Sequence, residues 1–273
     1  MMFFYFFIIL VLVEKLITYG ADINLQDKNG RSALHIANMG GFLDVCKLLT
    51  GMGAHSAILD SMDNTPLHYA VSKNGIDIAN INLLITKCPQ ALCITNKFGE
   101  TPLILAIRSR RADIEKLLKS ILKLTMIIMP RLCHTMILGH RTERGLTPLH
   151  LAVLEKQISC IRVLLAAGAE VNSRNHLGQT PLATAARDCT EEAVSLLLSA
   201  GASTRTLVCR GRVSTDVTDP VIINLLRNAS VEPLKLSSVC RRSCNRHFGL
   251  SGFLDDNVPQ RWLDFINYEC LEL

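Results

Sequence analysis

Residues Thr147–Asn175 read TPLHLAVLEKQISCIRVLLAAGAEVNSRN, and this stretch decides the fold. The Thr147 hydroxyl is suited to cap a helix, and Pro148 fits the first turn, where its missing N–H costs little. Ile161, Leu164 and Leu165 mark a second helix by their spacing. Gly168-Ala169 ends it, because a glycine there takes a left-handed backbone freely. Two short helices cannot bury their apolar faces alone, so the segment needs copies of itself alongside.

The copies are present. Ser32, Thr65, Thr101, Thr180 and a degraded Val213 correspond to Thr147, at successive spacings of 33, 36, 46, 33 and 33 residues. Two residues before these positions stand Gly30, Gly99, Gly145, Gly178 and Gly211, with Asp63 as the exception. Five residues before stand Asp27, Asp60, Asn96, Thr142 and Asn175, short side chains that bond local backbone N–H groups. Further second helices show Val45-Leu48-Leu49, Ile114-Leu117-Leu118 and Val194-Leu197-Leu198, and Gly-Ala recurs at 20–21, 53–54 and 201–202.

These residues resemble the ankyrin-repeat family from about Leu12 to Ala229. The resemblance implies an all-α solenoid of helix-turn-helix repeats with hairpin tips, about six in number over 14–230, the first and last partial. It also implies a concave face of tips and first helices that holds a protein target. The candidate contacts are Lys28, Asn29, Arg31, Lys97, Phe98, Arg144, His176 and Gln179.

Two places depart from the pattern. The repeat opened by Thr65 ends in Lys87-Cys88-Pro89-Gln90 instead of Gly-Ala. Residues 119–141 carry an insertion with Pro130 inside it, which predicts a long second helix or an irregular loop. His35, His68 and His150 recur at one repeat position, and such recurrence favours a structural hydrogen bond over a catalytic base.

Composition fits a helical protein packed by Leu and Ala: of 273 residues 49% are hydrophobic and only 5% aromatic. The net charge of +5 is interleaved along the chain, so no basic stripe calls for nucleic acid. Ten cysteines without a CxxC pair read as reduced thiols in a cytoplasmic or nuclear protein. Cys240, Cys244 and His247, with Cys133 and His134 elsewhere, lack the second ligand pair of a zinc site, so no metal or cofactor is expected. No Ser-His-Asp order, P-loop or nucleotide fingerprint appears, which argues against an enzyme.

The segment 1–13, MMFFYFFIILVLV, is apolar throughout. It lacks the flanks of a signal peptide and is shorter than the ~20 residues that span a bilayer. It is expected to be sequence foreign to the repeat pattern at the start of the outer helix of a truncated first repeat, with a membrane anchor as the alternative.

From Asn228 the repeat pattern is lost, and 231–273 forms a separate tail. Leu236, Val239, Cys240 and Phe248 mark one helical face and Gly249 stops it. Pro259 opens a second segment with Trp262, Phe265, Ile266 and Tyr268 at helical spacing. The tail resembles a SOCS box: Leu236, Cys240, Arg241 and Gly249 match its first half, and Val258-Pro259 keeps the end of its Pro-rich run. Cys244 stands where that family has an aliphatic residue. The resemblance implies that elongin C, with elongin B, binds Leu236, Val239, Cys240, Cys244 and Phe248. It also implies that a cullin scaffold contacts Val258 and Pro259. The chain would then be the substrate receptor of a cullin-type ubiquitin ligase. The alternative is an ankyrin scaffold whose tail caps the stack.

Overall fold

The repeats opened by Thr101, Thr147 and Thr180 start in the same way because the same residues stand there. Thr101 Oγ1 accepts the N–H of Ile104 at 3.4 Å, Thr147 that of His150 at 3.4 Å, and Thr180 that of Ala183 at 3.3 Å. Each satisfies a donor that a helix start leaves orphaned. In the computed structural model, residues 2–73, 77–128, 133–188, 190–205, 207–209, 212–213 and 217–231 are described. The chain falls into two units, Met1–Ile137 and Leu138–Leu273.

The first unit contains α1 (Met2–Thr18), α2 (Ala33–Gly40), α3 (Leu43–Gly51), α4 (Pro66–Ser72), α5 (Ile78–Lys87), α6 (Pro102–Arg108) and α7 (Ile114–Ile128). The first helices α2, α4 and α6 pack side by side in one layer, and α1, α3, α5 and α7 form the other. Leu34, Leu67 and Leu103, one per repeat, are fully buried, as are Leu84 and Leu117 of the second layer. Each such leucine contributes roughly 1.5–3 kcal/mol on leaving water.

The second unit has α8 (Pro148–Leu154), α9 (Ile158–Ala166), α10 (Pro181–Arg187), α11 (Glu191–Ser199) and α12 (Pro220–Val231). It repeats the two-layer arrangement, with α8 on α10 and α9 on α11. Its last helix, α12, lies on α11 and buries Ile222 and Leu226 completely. Where the sequence shows a degraded repeat near Val213, a two-residue antiparallel ladder forms between Val208–Cys209 and Arg212–Val213. Among the described residues β pairing is otherwise limited to a bridge between Gln26 and Ser32. The architecture is therefore the expected all-α stack of helix pairs.

The helix stops follow the glycines. At Gly20, Gly53, Gly168 and Gly201 φ lies between +83° and +91°. The next alanine then returns its N–H to the helix, as from Ala169 to the Leu164 carbonyl at 2.9 Å. Helix α1 ends in the same way, with the Ala21 N–H on Leu16 O at 3.0 Å, and packs on α3. It thus lies in the layer of second helices. Ile9, Leu12 and Leu16 on it remain exposed. Among the described residues no helix is long and apolar enough to cross a membrane.

Both irregular places have a structural form. After Lys87 the chain turns through a 3-10 helix, Pro89–Cys93, which buries Ala91 and Leu92 in place of the Gly-Ala stop. Helix α7 runs on to Ile128, and Cys133–Leu138 forms a π-helical turn. The described residues of the insertion thus lie in a long second helix and an irregular turn, and the boundary between the two units falls after Ile137.

Candidate functional site

The hairpin tips are fixed by their own side chains. Asp27 Oδ1 accepts the N–H groups of Asn29 and Arg31, at 2.8 and 2.9 Å. Asp60 does the same for Met62 and Asn64, Asn96 for Phe98 and Glu100, and Asn175 for Leu177 and Gln179. Thr142 Oγ1 accepts the N–H of Leu146, at 3.2 Å. Successive tips are joined by backbone bonds: Ser61 N–H to Asn29 O at 2.9 Å, Lys97 N–H to Met62 O at 3.0 Å, and His176 N–H to Arg144 O at 3.2 Å. A rigid edge of this kind presents side chains at little entropic cost.

Beneath the tips the three histidines tie one repeat to the next. Nδ1 of His35, His68 and His150 accepts the backbone N–H of Ser32, Thr65 and Thr147, at 3.1, 3.0 and 3.3 Å. Nε2 then donates to the carbonyl of Asn64, Glu100 and Gln179, at 3.0, 3.1 and 3.1 Å. Burial lowers the pKa of all three rings. They are neutral, fully engaged side chains, and the structural expectation holds.

The candidate contacts divide between the units. In the first unit Lys28, Lys97 and Phe98 are exposed at the tips, while Asn29 is half-buried. Arg31 is held against Asp27 by two guanidinium bonds, at 2.9 and 3.1 Å. The Arg31 backbone N–H holds the Asp27 carboxyl below the usual range, and the guanidinium adds to this. In the second unit Arg144 and His176 are exposed on neighbouring tips, and Gln179 is half-buried with Oε1 near Asn175 Nδ2, at 3.4 Å.

Beside the expected Phe98, the structure exposes residues that were not among the expected contacts. Leu177 is 80% exposed and Phe98 60%, and both stand three residues before their Thr caps. Met62 occupies the same position on its own tip. Four residues after the caps, Ile36, Tyr69 and Leu105 line one edge of the first-helix layer. Tyr69 donates to Asp60 Oδ2 at 2.5 Å. Burial and the Asp60 carboxylate push the Tyr69 hydroxyl up to about 12. Burial alone raises the Asp60 carboxyl, but the Tyr69 hydroxyl and the Asn64 and Met62 N–H groups outweigh it and hold it low. The period of the repeat was the available signal for all of these positions.

A family model for ankyrin repeats matches the chain in three copies, over residues 10–85, 79–175 and 129–207. The chain belongs to the ankyrin-repeat family. The nuclear factor NF-kappa-B p105 subunit of Rattus norvegicus is 30% identical over 156 residues, 55% of this chain and 15% of that protein. Neurogenic locus notch homolog protein 1 of Homo sapiens is 31% identical over 166 residues, 60% of this chain and 6% of its own length. The B-cell lymphoma 3 protein homolog of Mus musculus is 39% identical over 67 residues, 24% of this chain and 15% of its own. The chain thus spans only a small part of each of these relatives. Ankyrin repeats are protein–protein interaction modules of a typically non-catalytic family, and this chain carries such a module.

The proposed adaptor contacts Leu236, Val239, Cys240, Cys244 and Phe248 lie outside the described residues, as do His247, Val258 and Pro259. Among the described residues no three His, Cys, Asp or Glu side chains come together as a metal would require.

Proposed function

We propose that the chain is a target-recognition subunit of a cullin-type ubiquitin ligase. Its ankyrin units hold a protein target, and its tail recruits elongin C with elongin B. The observation that carries the target-holding part is the exposure of Phe98 and Leu177 on tips whose backbones are locked. Large apolar side chains held rigidly in water favour a partner that covers them.

The adaptor part is supported by the sequence of the tail. Leu236, Val239 and Cys240 share a helical face suited to an apolar groove on another protein. Cys240-Arg241 and Gly249 repeat the order of the SOCS-box pattern, and Val258-Pro259 keeps the cullin-contacting end. The mechanism is proximity: the chain brings a target to chemistry done by other subunits.

One observation favours a second reading, an ankyrin scaffold with a capping tail. Val221 on the last described helix, α12, is 45% exposed, and a tail folded over it would cover it. Co-expression of the full chain with elongins B and C separates the two. Under the receptor reading the elongins co-purify with the wild type and are lost from Leu236→Asp/Cys240→Asp. Under the capping reading no elongin is recovered, and the double variant melts at a lower temperature.

A further inference from the structure

We propose that the tip-and-helix face of the first unit selects an extended acidic segment of its partner protein, with aliphatic or aromatic side chains between the carboxylates. This rests on the reading of the ankyrin units as the target-holding part, and it names the chemistry that they take.

The first unit engages most of its own acceptors on this face, the Asp63 carboxylate on the middle tip being the exception. Asp27 is engaged by Arg31 and two tip N–H groups. Asp60 takes the Met62 and Asn64 N–H groups and the Tyr69 hydroxyl. Glu100 is paired with Arg108. Cationic donors on the same face are not neutralised in this way. Lys28 and Lys97 occupy equivalent tip positions, four residues before their caps, and both are exposed. The Lys73 ammonium, at the end of α4, donates to the Met39 carbonyl at 2.7 Å and pairs with no carboxylate among the described residues. With Lys28, Lys73 and Lys97 against Asp63, the face carries an excess of positive charge that an acidic partner complements.

The apolar component is interleaved with these cations. Phe98 follows Lys97 directly and is 60% exposed, Met62 on the neighbouring tip is 39% exposed, and Ile36 on α2 is 50% exposed. Separated cations with large apolar side chains between them fit a peptide whose acidic and apolar residues are mixed. A phosphate backbone asks instead for a continuous run of Lys and Arg, which this face lacks. The second unit has a more even balance of charge. Glu143 adjoins Arg144 on its tip, and Glu155 and Asp188 follow its first helices, so both signs are presented.

The test is selection of a displayed random-peptide library on the full chain, followed by affinity measurements on the enriched peptides. Enrichment of Asp and Glu together with Leu, Ile or Phe is expected. Those peptides should bind Lys28→Glu/Lys97→Glu about tenfold more weakly, since like charges then face each other, and should weaken with added salt. Phe98→Ala should also weaken them. Lys47→Glu, a charge reversal on the outer helix α3, should leave them unchanged. Enrichment of neutral or basic peptides, no enrichment, equal binding by Lys28→Glu/Lys97→Glu, or tighter binding of a DNA duplex than of the peptides would each overturn the proposal. Elongin recovery is read separately. Its failure in the wild type removes the ligase reading alone, and peptide selection failing with elongin retained removes this inference alone.

Discussion

His68 Nε2 donates to the Glu100 carbonyl at 3.1 Å, and Nδ1 accepts the Thr65 N–H at 3.0 Å. A carbonyl only accepts and an N–H only donates, so the two bonds together select the neutral tautomer with its proton on Nε2. The ring thereby joins the cap of one repeat to the tip of the next. A second proton on Nδ1 would break the cap bond in a site that is already desolvated.

That arrangement has a pH consequence. Burial holds His35, His68 and His150 below their ordinary value of 6.5, outweighing the bonds from Nε2 to the neighbouring carbonyls, which act in the opposite direction. Between the lowered folded values and 6.5 the unfolded chain binds more protons than the folded one. Stability is therefore complete above about pH 6.5 and is lost as pH falls from there. Asp27, Asp60 and Asp113 are also lowered, but from 3.8, so their contribution is lost only at more acid pH. Melting temperatures recorded from about pH 7.5 down to pH 5 should fall, and His68→Gln should start lower and fall less steeply. Equal slopes would contradict this origin.

Two glycines with the same backbone should respond unequally to alanine. Gly145 has φ +73°, and a Cβ there would meet the His176 backbone nitrogen at 2.8 Å. Gly178 has φ +74° with open space around it. Gly178→Ala should cost about 1–2 kcal/mol for its left-handed backbone alone. Gly145→Ala adds displacement of the His176 N–H from Arg144 O, and should lose at least about 1 kcal/mol more. Chemical denaturation of the two variants measures the difference.

Arg111 is the largest fully buried side chain of the first unit. Its guanidinium forms two bonds of 2.8 Å to Asp113 and reaches the Lys73 carbonyl at 2.9 Å and that of Ala70 at 3.3 Å. It thus closes the carbonyl end of α4, in the repeat with three extra residues before the next cap. Arg111→Met should cost about 2–4 kcal/mol, because it strands buried acceptors while Asp113 stays partly solvated. Hydrogen exchange should locate the loss in α4, and an unchanged rate there would contradict the assignment.

Periodic features were legible in the sequence because each depends on residues close together in the chain. The Thr caps, the tip brackets of Asp27, Asp60, Asn96 and Asn175, and the glycine stops all bond within a few residues. The recurrence of His35, His68 and His150 pointed to their structural role without naming the carbonyls they reach. Contacts that cross between repeats left no local trace. Arg111 belongs to no repeating pattern in the sequence, yet it is buried on carbonyls about forty residues away. Asn80 is another case: its amide donates to Asn38 Oδ1 at 2.9 Å inside the core. Asn24 and Asn172 likewise hold the backbone N–H of His55 and Ser203, at 2.9 and 2.7 Å. On the candidate surface Phe98 was recognised, whereas Leu177, at the equivalent position, was not.

The most direct test of the receptor reading is calorimetric titration of the purified full chain with the elongin B/C pair, with the melting temperature recorded on the same samples. The wild type should bind saturably at one pair per chain, and Leu236→Asp/Cys240→Asp should show no binding heat while melting as the wild type does. Absence of binding by the wild type, or equal binding by the double variant, would contradict it.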